Sequence, residues 1–256
     1  MTQLMKDCIA SWKINCPDYQ VIEWNEDNFD IESNIWVKEA ISAGNWSLAS
    51  DIMRAWILFE HGGIYVDTDV EILKPLDDML DNDFFIGYES KHWVNTAIIG
   101  SVKEHEILKW IKERYESVAP KIDEHSNLLA VQAYSCAIEL LYKVVPNGKT
   151  AIMNNGVALY AKEYFYPQHY LSHKIEITDN SYTIHRCSST WHSKRHKRLI
   201  RFFRAVRRLI GGIIFGFFEG RAAKKYRKIL TKERQKHESN TGQQQSKKRR
   251  LHTNRA

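Results

Sequence analysis

Residues 49–75 constrain this chain most, because they carry a helix, its stop and a strand in one unbroken run. Leu48, Ile52, Ala55, Trp56 and Phe59 recur at three-to-four spacing and form one apolar face, while Asp51 and Arg54 share another edge. Gly62-Gly63 supplies a residue free to adopt positive φ, which closes the helix. Ile64, Tyr65 and Val66 have the β-branched and aromatic character of a buried strand. Asp67 and Asp69 follow at i, i+2, so extended backbone sets both carboxylates on one face with Thr68 opposite.

Two acids on one face repel, and one of them tends to take up a proton unless a cation sits between them. A hard divalent ion, Mg²⁺ or Mn²⁺, reverses that cost and is usually shared with substrate phosphates. A solvated Asp-rich turn is the other reading of the same three residues. The surroundings separate the two. Ser50-Asp51, Arg54, Gly62-Gly63-Ile64-Tyr65, Asp67-Thr68-Asp69 and Lys74-Pro75-Leu76 together resemble glycosyltransferases of the sugar-binding DXD class. That group includes bacterial capsule and lipopolysaccharide transferases, yeast outer-chain mannosyltransferases and the clostridial glucosylating toxins. The resemblance implies that Asp67 and Asp69 hold a metal on the diphosphate of a nucleotide sugar and that Tyr65 lies near this donor. It also implies that Asp51 and Arg54 grip donor-sugar hydroxyls, which makes Asp51, Arg54 and Asp69 the catalytic candidates.

Along the rest of the chain, residues 1–15 read as a short amphipathic helix and Tyr19 to Trp24 as a strand. The DXD transferases begin with a further strand, an Ile-Pro-Lys-Lys-Ile-His-like segment at the centre of the sheet. This chain opens with the helix that follows it, so the resemblance implies an α/β, GT-A-like nucleotide-diphospho-sugar transferase fold without that first strand. Residues 33–43 form a second helix, 83–89 and 93–100 two strands, and 105–118 and 127–144 two amphipathic helices. Asn95 stands where the resembled family keeps an asparagine facing the donor sugar; a turn-forming Asn is the other reading. Residues 174–178 and 182–185 read as two short strands joined by Asp179-Asn180-Ser181. His185, followed six residues later by Trp191, resembles the family's C-terminal His-x-x-x-Ser-Trp segment, with Ser189 one place early. By that resemblance His185 joins Asp67 and Asp69 at the metal or diphosphate, and Trp191 closes over the diphosphate.

Charge divides the chain. From Lys194 onward there are 21 Lys+Arg against 3 Asp+Glu, and before it 16 against 28, so the last 63 residues are net +18 and the first 193 net −12. The sequence therefore predicts a transferase domain over 1–193, basic amphipathic helices over 194–230 and a disordered basic tail over 231–256. The apolar run 209–218 is too short to span a bilayer, and with Arg and Lys on both sides it suits an anionic membrane surface better than nucleic acid. Cys8, Cys16, Cys136 and Cys187 form no CxxC pair, which fits reduced thiols in a cytoplasmic protein and gives no zinc-finger spacing. The resemblance to the DXD transferases implies, as the expected function, metal-dependent transfer with retained anomeric configuration from a UDP-sugar to a lipid-linked or polysaccharide acceptor of a bacterial surface glycan. The expected place is the inner face of the plasma membrane. A catalytically silent relative that binds membrane or partner enzymes is the alternative.

Overall fold

Each helix of the first half begins on a side chain that accepts from an otherwise unpaired N–H of its first turn. In α1 (Gln3–Asn15) it is Thr2, in α2 (Ile35–Ser42) Asn34 and in α3 (Trp46–His61) Asn45. α3 stops at Gly62, whose φ of 70° lies in the left-handed region, and a Cβ there would stand 2.9 Å from the backbone nitrogen of Lys103. The chain then enters β1 (Gly63–Val66). In a computed structural model the described residues are 1–187 other than 121, 123–125 and 170–173, all within the unit Met1–Lys194. The predicted segments 194–230 and 231–256 lie outside the described residues.

The later elements are β2 (Val70–Ile72), β3 (Phe84–Tyr88), β4 (Val94–Ser101), α4 (Glu106–Glu116), α5 (Ser126–Tyr142), β5 (Ala151–Ile152), β6 (Val157–Tyr160), α6 (Lys162–Phe165) and β7 (Thr183–His185). Five strands form a mixed sheet in the order β1-β4-β3-β6-β5, in which β3 and β6 are parallel and the other pairs antiparallel. Period-two alternation sends Phe84, Ile86, Tyr88, Val157 and Leu159 to a core shared with α2, α3, α4 and α5. Phe85, Ala158 and Tyr160 face the opposite way, toward Trp12, Val70, Ile72 and Phe165. The fold is thus mixed α/β with a core on each face of the sheet.

β4 breaks its own alternation. Ile86 pairs with Ile99, but the next residue, Gly87, pairs with Asn95, so residues 96–98 bulge out of the β3 ladder. Val94 and Ile99 consequently share one core, and Ala97 and Ile98 belong to the other. Gly87 has a steric reason: a Cβ there would stand 2.5 Å from the Phe165 ring.

Two expectations fail. Residues 19–24 are not a strand; no ladder neighbour exists for them among the described residues, and Val21 and Ile22 remain exposed. The predicted hairpin of 174–178 with 182–185 is absent as well. Ile175 makes only an isolated bridge to Gln168, and β7 pairs instead with β2, a strand 110 residues away that short-range patterning does not reveal. Among the described residues β2 has no strand on its other edge, and side chains of α1 fill that role. Ser11 accepts from the Ile72 N–H (2.9 Å), Asn15 donates to the Ile72 carbonyl (2.9 Å) and buried Trp12 donates to the Val70 carbonyl (2.7 Å).

One acid-sensitive support lies far from this edge. His105 caps α4 by accepting the Ile107 N–H on Nδ1 (3.2 Å), and its ring stacks on Phe84. Burial lowers its pKa below the ordinary value of 6.5. A group with a depressed folded pKa contributes stability that is present above the unfolded pKa and lost as pH falls through the folded one. His105→Asn, which can cap at any of these pH values, should therefore lessen the loss of stability between pH 7.5 and 5 by about 1 kcal/mol. Urea unfolding at the two pH values checks this.

Candidate active site

The strand β1 ends at Val66, and Asp67-Thr68-Asp69 form a turn closed by the Val70 N–H on the Asp67 carbonyl (3.0 Å). The two carboxylates therefore converge around a turn, not along extended backbone as the i, i+2 spacing predicts. Three neighbours fix the turn. The Asp67 N–H donates to the Ala97 carbonyl in the β4 bulge (2.8 Å), the Arg186 N–H donates to the Asp69 carbonyl (2.9 Å), and Trp12 holds Val70. Pairing of Val70 with His185 across β2 and β7 brings the imidazole alongside: His185 Nε2 lies 3.3 Å from Asp69 Oδ1.

One ligand atom each from Asp67, Asp69 and His185 lies within 4.8 Å of the other two. Cis ligands of an octahedral ion at ~2.1 Å are ~3 Å apart and trans ligands ~4.2 Å, so a small closing movement fits these three around a hard divalent ion. Burial opposes charge on His185, but hydrogen bonds to Asp69 and Cys187 outweigh it and raise the imidazole pKa well above the ordinary range. A proton there takes the place a cation would fill, and the imidazole must release it to ligate.

Arg54 is the buried hub behind the carboxylates. Its guanidinium contacts Asp51 (2.8 Å) and Asp67 (3.3 Å), donates to the Thr96 carbonyl in the bulge and to the Ser50 carbonyl (3.3 Å), and lies over the Tyr65 ring at 4.3 Å. The Arg54 residue is 3% exposed, and most of its donors are taken by Ser50, Asp51, Asp67 and Thr96. Asp51 beside it is mostly, though not fully, shielded from solvent. Desolvation raises its carboxyl to about 6, with Arg54 pulling down and Asp67 pushing up. Tyr65 donates its hydroxyl to Asp67 Oδ1 (2.7 Å). The structure thus gives Arg54 and Tyr65 the task of aiming Asp67.

Asn95 sits at the start of the bulge. Its Oδ1 accepts from the Ala97 N–H (2.8 Å), its carbonyl accepts from the Tyr166 hydroxyl (3.1 Å), and its Nδ2 donates to Glu89 (3.2 Å). Tyr166 in turn presents its ring to His185 at 6.1 Å. Trp191 lies outside the described residues. The sequence reading missed a cavity of about 250 Å³ that opens beside Arg54 and Tyr65 and is walled by Trp24, Trp46, Met53 and Ile57. Trp46, 56% exposed at the first position of α3, was the legible signal for it.

Residues 2–86 match the family described as the glycosyltransferase sugar-binding region containing the DXD motif. Inositol phosphoceramide mannosyltransferase 3 of Schizosaccharomyces pombe is 26% identical over 96 residues, which cover 36% of this chain and 27% of that protein. Mannosyl phosphorylinositol ceramide synthase CSH1 of Saccharomyces cerevisiae is 32% identical over 101 residues, 38% of this chain and 27% of that protein. The chain thus spans less than a third of the length of these curated relatives. Among solved structures, PaToxG Glycosyltransferase aligns with a TM-score of 0.43 at 16% identity, over 56% of this chain and 64% of that one.

Proposed function

We propose that this chain, whose residues 2–86 match the DXD sugar-binding region of glycosyltransferases, is a metal-dependent glycosyltransferase of GT-A type. The reaction moves a sugar from a nucleotide-sugar donor, expected to be a UDP-sugar, to a lipid-linked or glycan acceptor with retention at the anomeric carbon. The observation that carries this reading is that β7, outside the matched region, brings His185 to Asp67 and Asp69, whose turn lies inside it. Those three residues would hold Mn²⁺ or Mg²⁺, and the bound ion would neutralise charge developing on the departing diphosphate.

The chain's own residues set the conditions for that chemistry. Arg54 and Tyr65 fix the direction of the Asp67 carboxylate, so no reorganisation is needed as charge develops. The aromatic cavity next to Tyr65 has the size and apolar walls to hold the donor's base, with Trp24 and Trp46 as stacking faces. The ceramide in the relatives' names favours a lipid-borne acceptor over a free polysaccharide. Such an acceptor suits a protein held on the inner face of an anionic membrane by the basic stretch 194–230, in the synthesis of a bacterial surface glycan.

Release of free diphosphate from UDP-glucose and GDP-mannose tests the activity. Turnover that requires Mn²⁺ or Mg²⁺ and stops on chelation is the expected result. Turnover unaffected by chelation overturns the metal reading, and none with either donor counts for the silent relative. Flotation with anionic liposomes in the presence of competing duplex DNA tests the membrane claim, which preference for the duplex would overturn.

A further inference from the structure

Glu89, which no motif singles out, stands beside the proposed site with one carboxylate oxygen uncommitted. It follows β3 directly, where the chain turns back: its N–H and that of Ser90 both donate to the Trp93 carbonyl, at 2.9 and 3.3 Å. Glu89 Oε2 accepts from Asn95 Nδ2 at 3.2 Å. Asn95 Oδ1 accepts from the Ala97 N–H, and the Ala97 carbonyl accepts from the Asp67 N–H, each at 2.8 Å. A short run of hydrogen bonds therefore joins the Glu89 carboxylate to the backbone of the first metal-ligand candidate.

This arrangement exists because of the bulge. A regular β3–β4 ladder would pair Gly87 with Ile98; the shift pairs it with Asn95 and so brings the Asn95 amide to the end of β3. The bulge leaves strand groups without their usual partners, and Arg54, Tyr166, Asp67 and the Asn95 side chain supply replacements. A distortion satisfied this fully is a built feature of the sheet.

Among the described residues no Lys or Arg pairs with Glu89, and its Oε1 has no hydrogen-bond partner. Asn95 Nδ2 keeps a second N–H beyond the one given to Glu89. A half-buried carboxylate oxygen thus lies next to an amide donor, with the Asn95 carbonyl already taken by Tyr166. An acceptor and a donor side by side match two adjacent hydroxyl groups, one donating to Glu89 and the other accepting from Asn95. The same carboxylate would repel a diphosphate, so the pair suits the uncharged, hydroxyl-rich part of a substrate.

We propose that Glu89 adds a second hydroxyl-binding group beside Asn95, for which the resemblance already implies a sugar contact, so that the two grip adjacent hydroxyls of one sugar ring. The proposal rests on the glycosyl-transfer reading for the identity of the ring, which belongs either to the donor sugar or to the acceptor.

The test measures Mn²⁺-supported binding of UDP, GDP, UDP-glucose and GDP-mannose by calorimetry, and of methyl α-mannoside and methyl α-glucoside by saturation-transfer NMR. The wild-type chain is compared with Glu89→Gln and Glu89→Ala. Gln keeps the oxygen that accepts from Asn95 while replacing the free acceptor by a donor, so its melting temperature should stay within about 2 °C of wild type. Both variants should weaken sugar-bearing ligands tenfold or more, as expected for loss of a charge-assisted hydrogen bond, and leave the bare diphosphates unchanged. Weakening of the nucleotide sugars assigns the ring to the donor, and weakening confined to the glycosides assigns it to the acceptor. Equal affinities for every sugar probe, an equal loss on the bare diphosphates, or a wild-type chain that responds to no sugar each overturn the proposal. Glycoside binding that depends on Glu89 without diphosphate binding would sustain the pair and reject the transfer reading.

Discussion

Asp69→Asn should lower donor turnover by on the order of 10²–10³-fold while leaving the melting temperature close to that of the wild type. The substitution keeps the shape of the side chain and an oxygen that can still accept from His185 Nε2, which lies 3.3 Å from Asp69 Oδ1. It removes the anionic charge that lets the residue compete for a hard cation against water. The backbone of the turn does not depend on that carboxylate: its contacts run through the Asp67 N–H and carbonyl, the Asp69 carbonyl and Val70. Steady-state release of diphosphate alongside thermal melting separates the two effects. Full activity in the variant would remove Asp69 from the metal site, and a collapsed melting curve would show that its charge holds the fold.

Arg54→Met should produce the largest loss of stability of any single substitution in the first half of the chain. It takes the guanidinium away from the Asp51 and Asp67 carboxylates and from the Thr96 carbonyl. Breaking a buried pair by removing one partner costs about 3–5 kcal/mol, because the remaining charge stays desolvated. For a domain of this size that is a fall in melting temperature of about 10 °C or more.

The loss should also depend on pH in a defined direction. Asp51 is raised to about 6 in the folded state by desolvation even with Arg54 present, against an ordinary value of 3.8. For a carboxyl raised on folding, the favourable contribution is present below the unfolded pKa and disappears as pH rises through the folded pKa. Removal of Arg54 lifts the folded value further, so the penalty of the substitution should be smaller at pH 5 than at pH 8. Chemical unfolding of both proteins at the two pH values measures it; a penalty that grows toward acid would contradict the burial account.

The parts of the fold written in local spacing were legible before any coordinates. α3, its Gly62 stop and β1 follow from a 3.6-residue apolar face and a β-branched run, and α4 follows from periodicity of the same kind. What escaped was non-local. The strand at 182–185 was legible and is β7, but its pairing with the three-residue β2, supported by Ser11, Trp12 and Asn15, was not, because nothing within a short window announces such a sheet. Residues 19–24 have strand composition but no strand to pair with among the described residues, which shows how far β-propensity depends on context.

The site shows the same division. Asp67, Asp69 and His185 were identifiable as a set through the resemblance, and the β2–β7 pairing is the physical means by which residues so far apart in sequence meet. Arg54 was read as a sugar-gripping residue only because the resemblance to the DXD transferases implies that role. Its 3% exposure and its ties to Asp51, Asp67, Ser50 and Thr96 give it a positioning role that the sequence did not show. Glu89 carried no motif at all; a three-residue bulge in β4, invisible to alternation rules that assume a regular ladder, gives it its place beside Asn95.

The central claim is that Asp67, Asp69 and His185 bind a divalent cation together with a nucleoside diphosphate. Calorimetric titration of UDP and GDP into the full chain, with Mn²⁺ present and again after chelation, tests it most directly. The account predicts saturable binding of at least one diphosphate that requires Mn²⁺ and vanishes in Asp69→Asn. Binding of equal strength after chelation, or no binding of either diphosphate with Mn²⁺ present, would contradict it.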